Sequence, residues 1–214
     1  MDIQFYGANC FRLTTKTAAI TVDDNLVELG SNSIAKPGDI ALFTQEHQKS
    51  VTNAKLVIDG PGEYEVSDVS ILGIAVRAHM DEPEKRLSTI YRLIIDGLRV
   101  VVAGHMYPEL SDGELESLGT VDVLLVPVGG NGYTLDSVGA LKLIRKIEPK
   151  LVIPSHYEDQ SLRYPVPQQD INTALHSMGF ESAERVAGKM KIKSGDLSDV
   201  MRLVVLEKAS QPKK

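Results

Sequence analysis

The chain has no tryptophan, a single cysteine and an aromatic content of only 5%. One thiol, Cys10, allows neither an internal disulfide nor a cysteine-built zinc knuckle. Beside Phe11 and Leu13 it reads as a small buried hydrophobe. Apolar runs are short, and none approaches the roughly 20 residues of a membrane span. Basic clusters are missing too. Apart from the terminal Lys213-Lys214 there is no block of Lys or Arg, and the net charge is −6, which argues against a phosphate-tracking surface and so against nucleic-acid binding. Met1-Asp2-Ile3-Gln4 lacks the basic and apolar regions of a secretory signal. The expectation is a cytoplasmic protein with neither membrane nor nucleic acid as partner.

What is present suffices for a large core: 214 residues, 43% of them hydrophobic and 24% charged. A single domain is expected over residues 1–209, with 210–214 as a frayed tail. Short apolar or alternating runs bounded by Gly, Pro, Asp or Asn predict strands at 3–6, 11–14, 18–22, 40–43, 56–58, 69–76, 89–95 and 100–103. Asp59-Gly60-Pro61-Gly62 and Asp96-Gly97 are turn signatures, so the first half reads as mainly antiparallel sheet. From residue 111 the rhythm changes. Ser111-Asp112-Gly113-Glu114 has the form of a capping box opening a helix that runs to Gly119. A strand at 121–126, a helix at 136–147, a strand at 151–153 and a helix at 167–178 stopped by Gly179 follow, then closing strands at 189–193 and 201–206. Two facing sheets with helices outside, a four-layer α/β/β/α sandwich, accommodate this order.

Four of the five histidines, His47, His79, His105 and His156, fall just after predicted strands, where loops gather at one edge of a sandwich. Any one alone reads as a hydrogen-bonded structural histidine; all four at strand ends suit a metal site, because a rigid sheet can aim side chains from separate loops at one point. His176, in a predicted helix, reads as a surface residue.

The stretches Asp122-Val123-Leu124-Leu125-Val126-Pro127-Val128-Gly129-Gly130 and Ile153-Pro154-Ser155-His156-Tyr157, with further support at residues 20–24 and 59–65 and weaker support at 5–12, resemble the metallo-β-lactamase superfamily over nearly the whole chain. The likeness is to its zinc-dependent hydrolases related to ascorbate-6-phosphate lactonase. The resemblance implies the metallo-β-lactamase form of the sandwich and a two-metal cage built from a His-x-His-x-Asp-His motif. Carried over position by position, that cage is depleted. Gln45 stands at the first His, His47 at the second, Lys49 at the Asp and Ser50 at the last His. His79 matches the next ligand, His105 replaces the bridging Asp, and His156 is retained.

Replacing Asp by Lys changes the local charge by two units against a dication, so a two-metal centre is not expected. His47, His79 and His105 could still hold one zinc or manganese ion with an open fourth position. His105 and His156 are then the candidate catalytic groups. Lys49, Tyr157 and Gly130 are the candidate substrate-binding groups, Lys49 by its charge, Tyr157 as a hydrogen-bond donor and Gly130 through a loop whose amides face an anion. Asp23 or Asp24 matches the aspartate that orients the ligand loop, or else caps a strand end. Two readings stay open: a hydrolase of an ester, lactone or phosphoester of a small acidic metabolite, and a metal-free module that binds a small anionic molecule. The related lactonases form oligomers, so a homo-oligomer is admitted, though no residue pattern points to an interface.

Overall fold

The computed structural model describes residues 1–45, 54–79, 82 and 85–211. Two sheets dominate it. The first contains β1 (Asp2–Gly7), β2 (Cys10–Thr14), β3 (Ala19–Val22), β4 (Ile40–Leu42) and β5 (Leu56–Ile58) in that spatial order. In chain order there follow β6 (Gly62–Val66), β7 (Val69–Val76), β8 (Ser88–Ile95), β9 (Leu98–Val102), α1 (Asp112–Leu118), β10 (Val123–Pro127), α2 (Ser137–Ile147), β11 (Leu151–Ser155) and α3 (Ile171–Met178). The chain closes with β12 (Glu184–Val186), β13 (Met190–Lys191) and β14 (Arg202–Leu206). β13 joins the edge of the first sheet beside β1, and the second sheet is ordered β12-β14-β11-β10-β9-β8-β7-β6.

Strand alternation explains how the sheets meet. Ile3, Phe5, Phe11, Leu13, Ile20 and Leu42 face inward from the first sheet, against Ile71, Leu93, Val100, Val102, Leu125 and Ile153 of the second. The opposite face of the second sheet, carrying Val101, Leu124, Val126, Val152 and Leu203, is covered by Leu118 of α1, Leu143 and Ile144 of α2, and Leu175 and Met178 of α3. Two sheets and a helical layer are thus as the sequence implies. Among the described residues, however, the outer face of the first sheet is covered by loop rather than helix. Leu26, Leu29, Ile34 and Leu162 pack there over Tyr6 and Cys10.

Four details differ from what the sequence suggests. β3, β4 and β5 pair in parallel, so the first half is not uniformly antiparallel. β6 follows the turn signature at 59–62, where no strand is expected; it pairs with β7 through a two-residue turn at Ser67 and Asp68, both with positive φ. The edge strand β12 has no counterpart among the expected strands. The third helix starts at Ile171 rather than 167, because the Asp170 side chain accepts from Asn172 N and Thr173 N and sets the N-terminus there. The capping box at Ser111 and Glu114 and the left-handed cap at Gly179 are present as expected.

A buried ion pair ties the loop before β4 to the outer face of the first sheet. Arg12 donates to both Asp39 oxygens, at 2.5 and 2.7 Å, and Asp39 also accepts from Lys36 N at 2.7 Å. Both residues are buried. Asp39→Ala strands a buried guanidinium and should destabilise the fold by about 3–5 kcal/mol, whereas Arg12→Met with Asp39→Leu should lose far less. Urea unfolding of the two variants checks this; equal losses would contradict it.

Candidate metal and hydrolytic site

The carboxyl ends of parallel strands place the chemistry-bearing side chains at one edge of the sandwich, where crevices form in sheets of this kind. β3 leads into Asp23, β4 into Thr44, β9 into Gly104 and His105, β10 into Gly129, and β11 into His156. The turn between β1 and β2 adds Asn9. Two glycines make the convergence possible. A Cβ on Gly104 would lie 2.3 Å from Thr44, and one on Gly129 would lie 1.8 Å from the His156 carbonyl oxygen and 2.3 Å from Gln168 Oε1. Any side chain at either position would push a site residue out of place.

Two histidine rings meet here, and a third histidine is joined to them through its main chain. The His105 and His156 rings pack edge to face with centroids 5.3 Å apart, and Tyr133 lies 5.4 Å from the first and 5.7 Å from the second. His79 N–H donates to the His105 carbonyl at 2.9 Å, fixing the strand end after β7 beside the segment after β9. The buried His79 Nδ1 has no hydrogen-bond partner among the described residues.

Hydrogen bonding decides which nitrogen of each buried ring carries the proton. Thr44 Oγ1 donates to Asp23 Oδ2 at 2.7 Å, while Thr44 N donates to Asp23 Oδ1 at 2.7 Å. With its hydrogen so committed, the Thr44 hydroxyl can only accept from His105 Nδ1, 3.4 Å away. Asn9 Oδ1 accepts from Ser155 Oγ at 2.7 Å, which orients the Asn9 amide so that Nδ2 faces His105 Nε2 at 3.5 Å. On the other ring, Gln168 Nε2 donates to the Val166 and Pro167 carbonyls, leaving Gln168 Oε1 to accept from His156 Nδ1 at 3.1 Å. Both imidazoles therefore carry hydrogen on Nδ1 and a lone pair on Nε2.

Burial holds both rings neutral. The pKa of His105 is pushed down to about 3 by desolvation, helped by the nearby His156 and His79. That of His156 is pushed down to about 4 by desolvation, against the opposing hydrogen bond to Gln168. His79 is lowered mainly by burial, with Asp136 acting in the other direction. Asp23 is pushed up to about 6 by burial, against the two Thr44 hydrogen bonds.

The sequence-predicted residues divide accordingly. His47 and Lys49, together with Ser50, lie outside the described residues. The His105 and His156 rings are brought together, and His79 is joined to them through its main chain. Of the two aspartates, Asp23 reaches the cluster through Thr44. Asp24 Oδ2 instead accepts from Ser33 Oγ, Ile34 N and Ala35 N, at 2.7 to 2.8 Å, and pins the loop over the first sheet. Tyr157 is not a cleft donor: its hydroxyl donates to the Leu206 carbonyl at 3.2 Å and its ring packs 5.4 Å from Phe5, because the side chain after His156 turns into the core. Gly130 does not offer its amide to a ligand either, since that N–H donates to the Leu135 carbonyl at 3.0 Å.

Sequence reasoning misses the roles of Asn9, Thr44, Tyr164 and Gln168. The last follows a Pro-Val-Pro segment with no motif, and only the fold brings it to His156. The Tyr164 ring lies 5.3 Å from the His156 ring, tilted by 46°.

The donors fit a metal ion in kind, being neutral imidazoles with unprotonated nitrogens and one orphaned buried nitrogen. In number they fall short: among the described residues no three His, Cys, Asp or Glu side chains are grouped closely enough to hold an ion.

A model of the beta-lactamase superfamily domain matches residues 2–156, from the first strand to the last of the clustered histidines. A UPF0173 protein of Pyrococcus abyssi is 28% identical over 180 residues, covering 73% of this chain and 83% of its own. A UPF0173 metal-dependent hydrolase of Salinibacter ruber is 23% identical over 231 residues, covering 88% of this chain and 98% of its own. Among solved structures, a Thermotoga maritima protein named as a zinc-dependent hydrolase of the metallo-beta-lactamase superfamily superposes with a TM-score of 0.73. It is 25% identical, and the match covers 96% of this chain and 98% of that one. Fold and histidine cluster thus define a metallo-β-lactamase-fold protein. The chain belongs to the beta-lactamase superfamily, among relatives named as metal-dependent hydrolases. These likenesses do not single out the ascorbate-6-phosphate lactonase branch.

Two measurements follow from the buried groups. Unfolded histidine binds a proton below about pH 6.5, while His105 and His156 stay neutral in the fold down to about 3 and 4, so their contribution to stability is lost as pH falls through that window. Asp23 acts in the opposite sense, because its folded pKa of about 6 lies above the ordinary carboxyl value of 3.8. Two histidines against one aspartate give a net loss of about 1.4 kcal/mol per pH unit near pH 5 from these three groups, and Asp23→Asn should roughly double it. Urea melts with chelator present check this; an unchanged slope in Asp23→Asn would contradict it. Nitrogen-15 NMR should find His156 protonated on Nδ1, with Gln168→Leu shifting it toward a tautomer mixture; an Nε2-protonated wild type would contradict the assignment.

Proposed function

We propose that the chain is a divergent metallo-β-lactamase-fold hydrolase with an eroded two-metal site, holding at most one zinc or manganese ion and acting on an ester, lactone or phosphoester of a small acidic metabolite. The observation that carries this reading is the pair of buried, neutral imidazoles, each held by a neutral acceptor so that Nε2 is unprotonated; that of His105 faces the Asn9 amide, which a bound ion would displace. Groups with pKa values pushed to about 3 and 4 are weak general bases at neutral pH, yet as ligands they have no proton to displace. The ion is assigned to His105, with His79 and His47 completing the set and His156 beside them. A metal held there would polarise a carbonyl or phosphoryl oxygen and lower the pKa of bound water.

The chain's own residues supply the rest. Asp23 and Thr44 fix the His105 ring, Gln168 fixes His156, and the Tyr133 ring closes one side against both imidazoles. Lys49 is assigned to the acidic group of the substrate by its charge.

A second reading rests on a specific observation: the described residues lack a group of three metal donors. On that reading the same pocket is a metal-free module for a small anion. One experiment separates the two. Protein purified without a His tag and dialysed against trace zinc or manganese should retain close to one equivalent, and chelator should lower its Tm. His79→Ala should abolish retention. Less than about one-tenth equivalent, with an unmoved Tm, would contradict the hydrolase and favour the binding module.

A further inference from the structure

At the end of the second sheet opposite the histidines, where α2 ends and β11 and β14 begin, the surface is concave and mixes apolar with charged side chains. A cavity of about 610 Å³ is floored by Leu141, Ile144, Met178, Phe180 and Met201 and rimmed by Arg145, Glu148, Lys150 and Asp199. A second hollow of about 550 Å³ adjoins it, sharing Phe180 and Met201. Beside them Val200 is 75% exposed. Val138, 70% exposed, lies on the same face of α2 as Leu141 and Arg145, since residues 138, 141 and 145 follow the 3-4 spacing of one helix face.

We propose that this face is the contact between two copies of the chain, related by a twofold axis that seats Val200 of each copy in the hollow of the other. The geometry favours a second copy because one surface carries both halves of the contact. Val200 is the projecting apolar side chain and the groove floor is its socket, which is the self-complementarity a twofold interface requires. Charge agrees. The chain as a whole carries −6, so two copies repel at long range. The groove rim nevertheless sets Arg145 and Lys150 against Glu148 and Asp199 and is balanced. Lys150 is already engaged by Asp122 at 3.4 Å. Neither Arg145 nor Asp199 has an ion-pair partner among the described residues. Since Asp199 is the chain neighbour of Val200, seating Val200 delivers Asp199 to the Arg145 of the other copy.

Sedimentation of the full chain over about 1–100 µM should show the mass rising from the 23.4 kDa monomer toward the dimer. Val200→Asp, a surface change that leaves the core intact, should weaken association at least about tenfold, and Arg145→Asp should do the same. Combining Arg145→Asp with Asp199→Arg should restore it. A monomer at every concentration, or a dimer unaffected by Val200→Asp and by the charge reversal, would overturn the proposal. Circular dichroism of each variant confirms that a lost dimer is not a lost fold.

Discussion

Burying imidazoles without a carboxylate in direct contact is the constraint on which this site depends. Desolvation strips His105 and His156 of charge, and each ring must then place its one N–H on a specific acceptor or leave a polar atom stranded. Thr44 and Gln168 are those acceptors, and both are oriented by groups further out: Asp23 for the first, two backbone carbonyls for the second. The chain of commitments fixes the tautomers and leaves Nε2 of each ring unprotonated.

The backbone is shaped for this. Thr44 can approach the segment after β9 only because residue 104 is glycine, and the His156 carbonyl and Gln168 can approach the end of β10 only because residue 129 is glycine. Asp23 and His156 themselves occupy left-handed backbone, at φ 43° and 53°. Positive φ in non-glycine residues is disfavoured, and two instances at the ends of site strands show packing and hydrogen bonds overruling local preference. The site is thus set by the ends of rigid parallel strands and by a few enforced close contacts.

Much of this fold is legible in the amino-acid sequence. The strands at 56–58 and 69–76 fall where expected, as does the helix beginning after Asp136, because apolar spacing and turn residues agree there. β6 escapes because its turn uses Ser67 and Asp68 in place of the glycine that usually marks such a bend. The parallel pairing of β3, β4 and β5 escapes because periodicity says nothing of direction. In the site, His79, His105 and His156 can be singled out by residue type and position after a strand. Gln168 and Asn9 cannot, since an amide becomes informative only once its partner is known. Tyr157 is misplaced for a related reason: the left-handed backbone at His156 turns the next side chain into the core, and that turn is invisible in a run of letters.

The central claim is that these imidazoles serve one ion and not two. X-ray absorption at the metal edge of protein loaded with zinc tests it most directly. The account predicts a single ion with imidazole nitrogens at about 2.0–2.1 Å and no metal–metal scattering. A second metal at about 3.5–4 Å, or a zinc bound without imidazole, would contradict it.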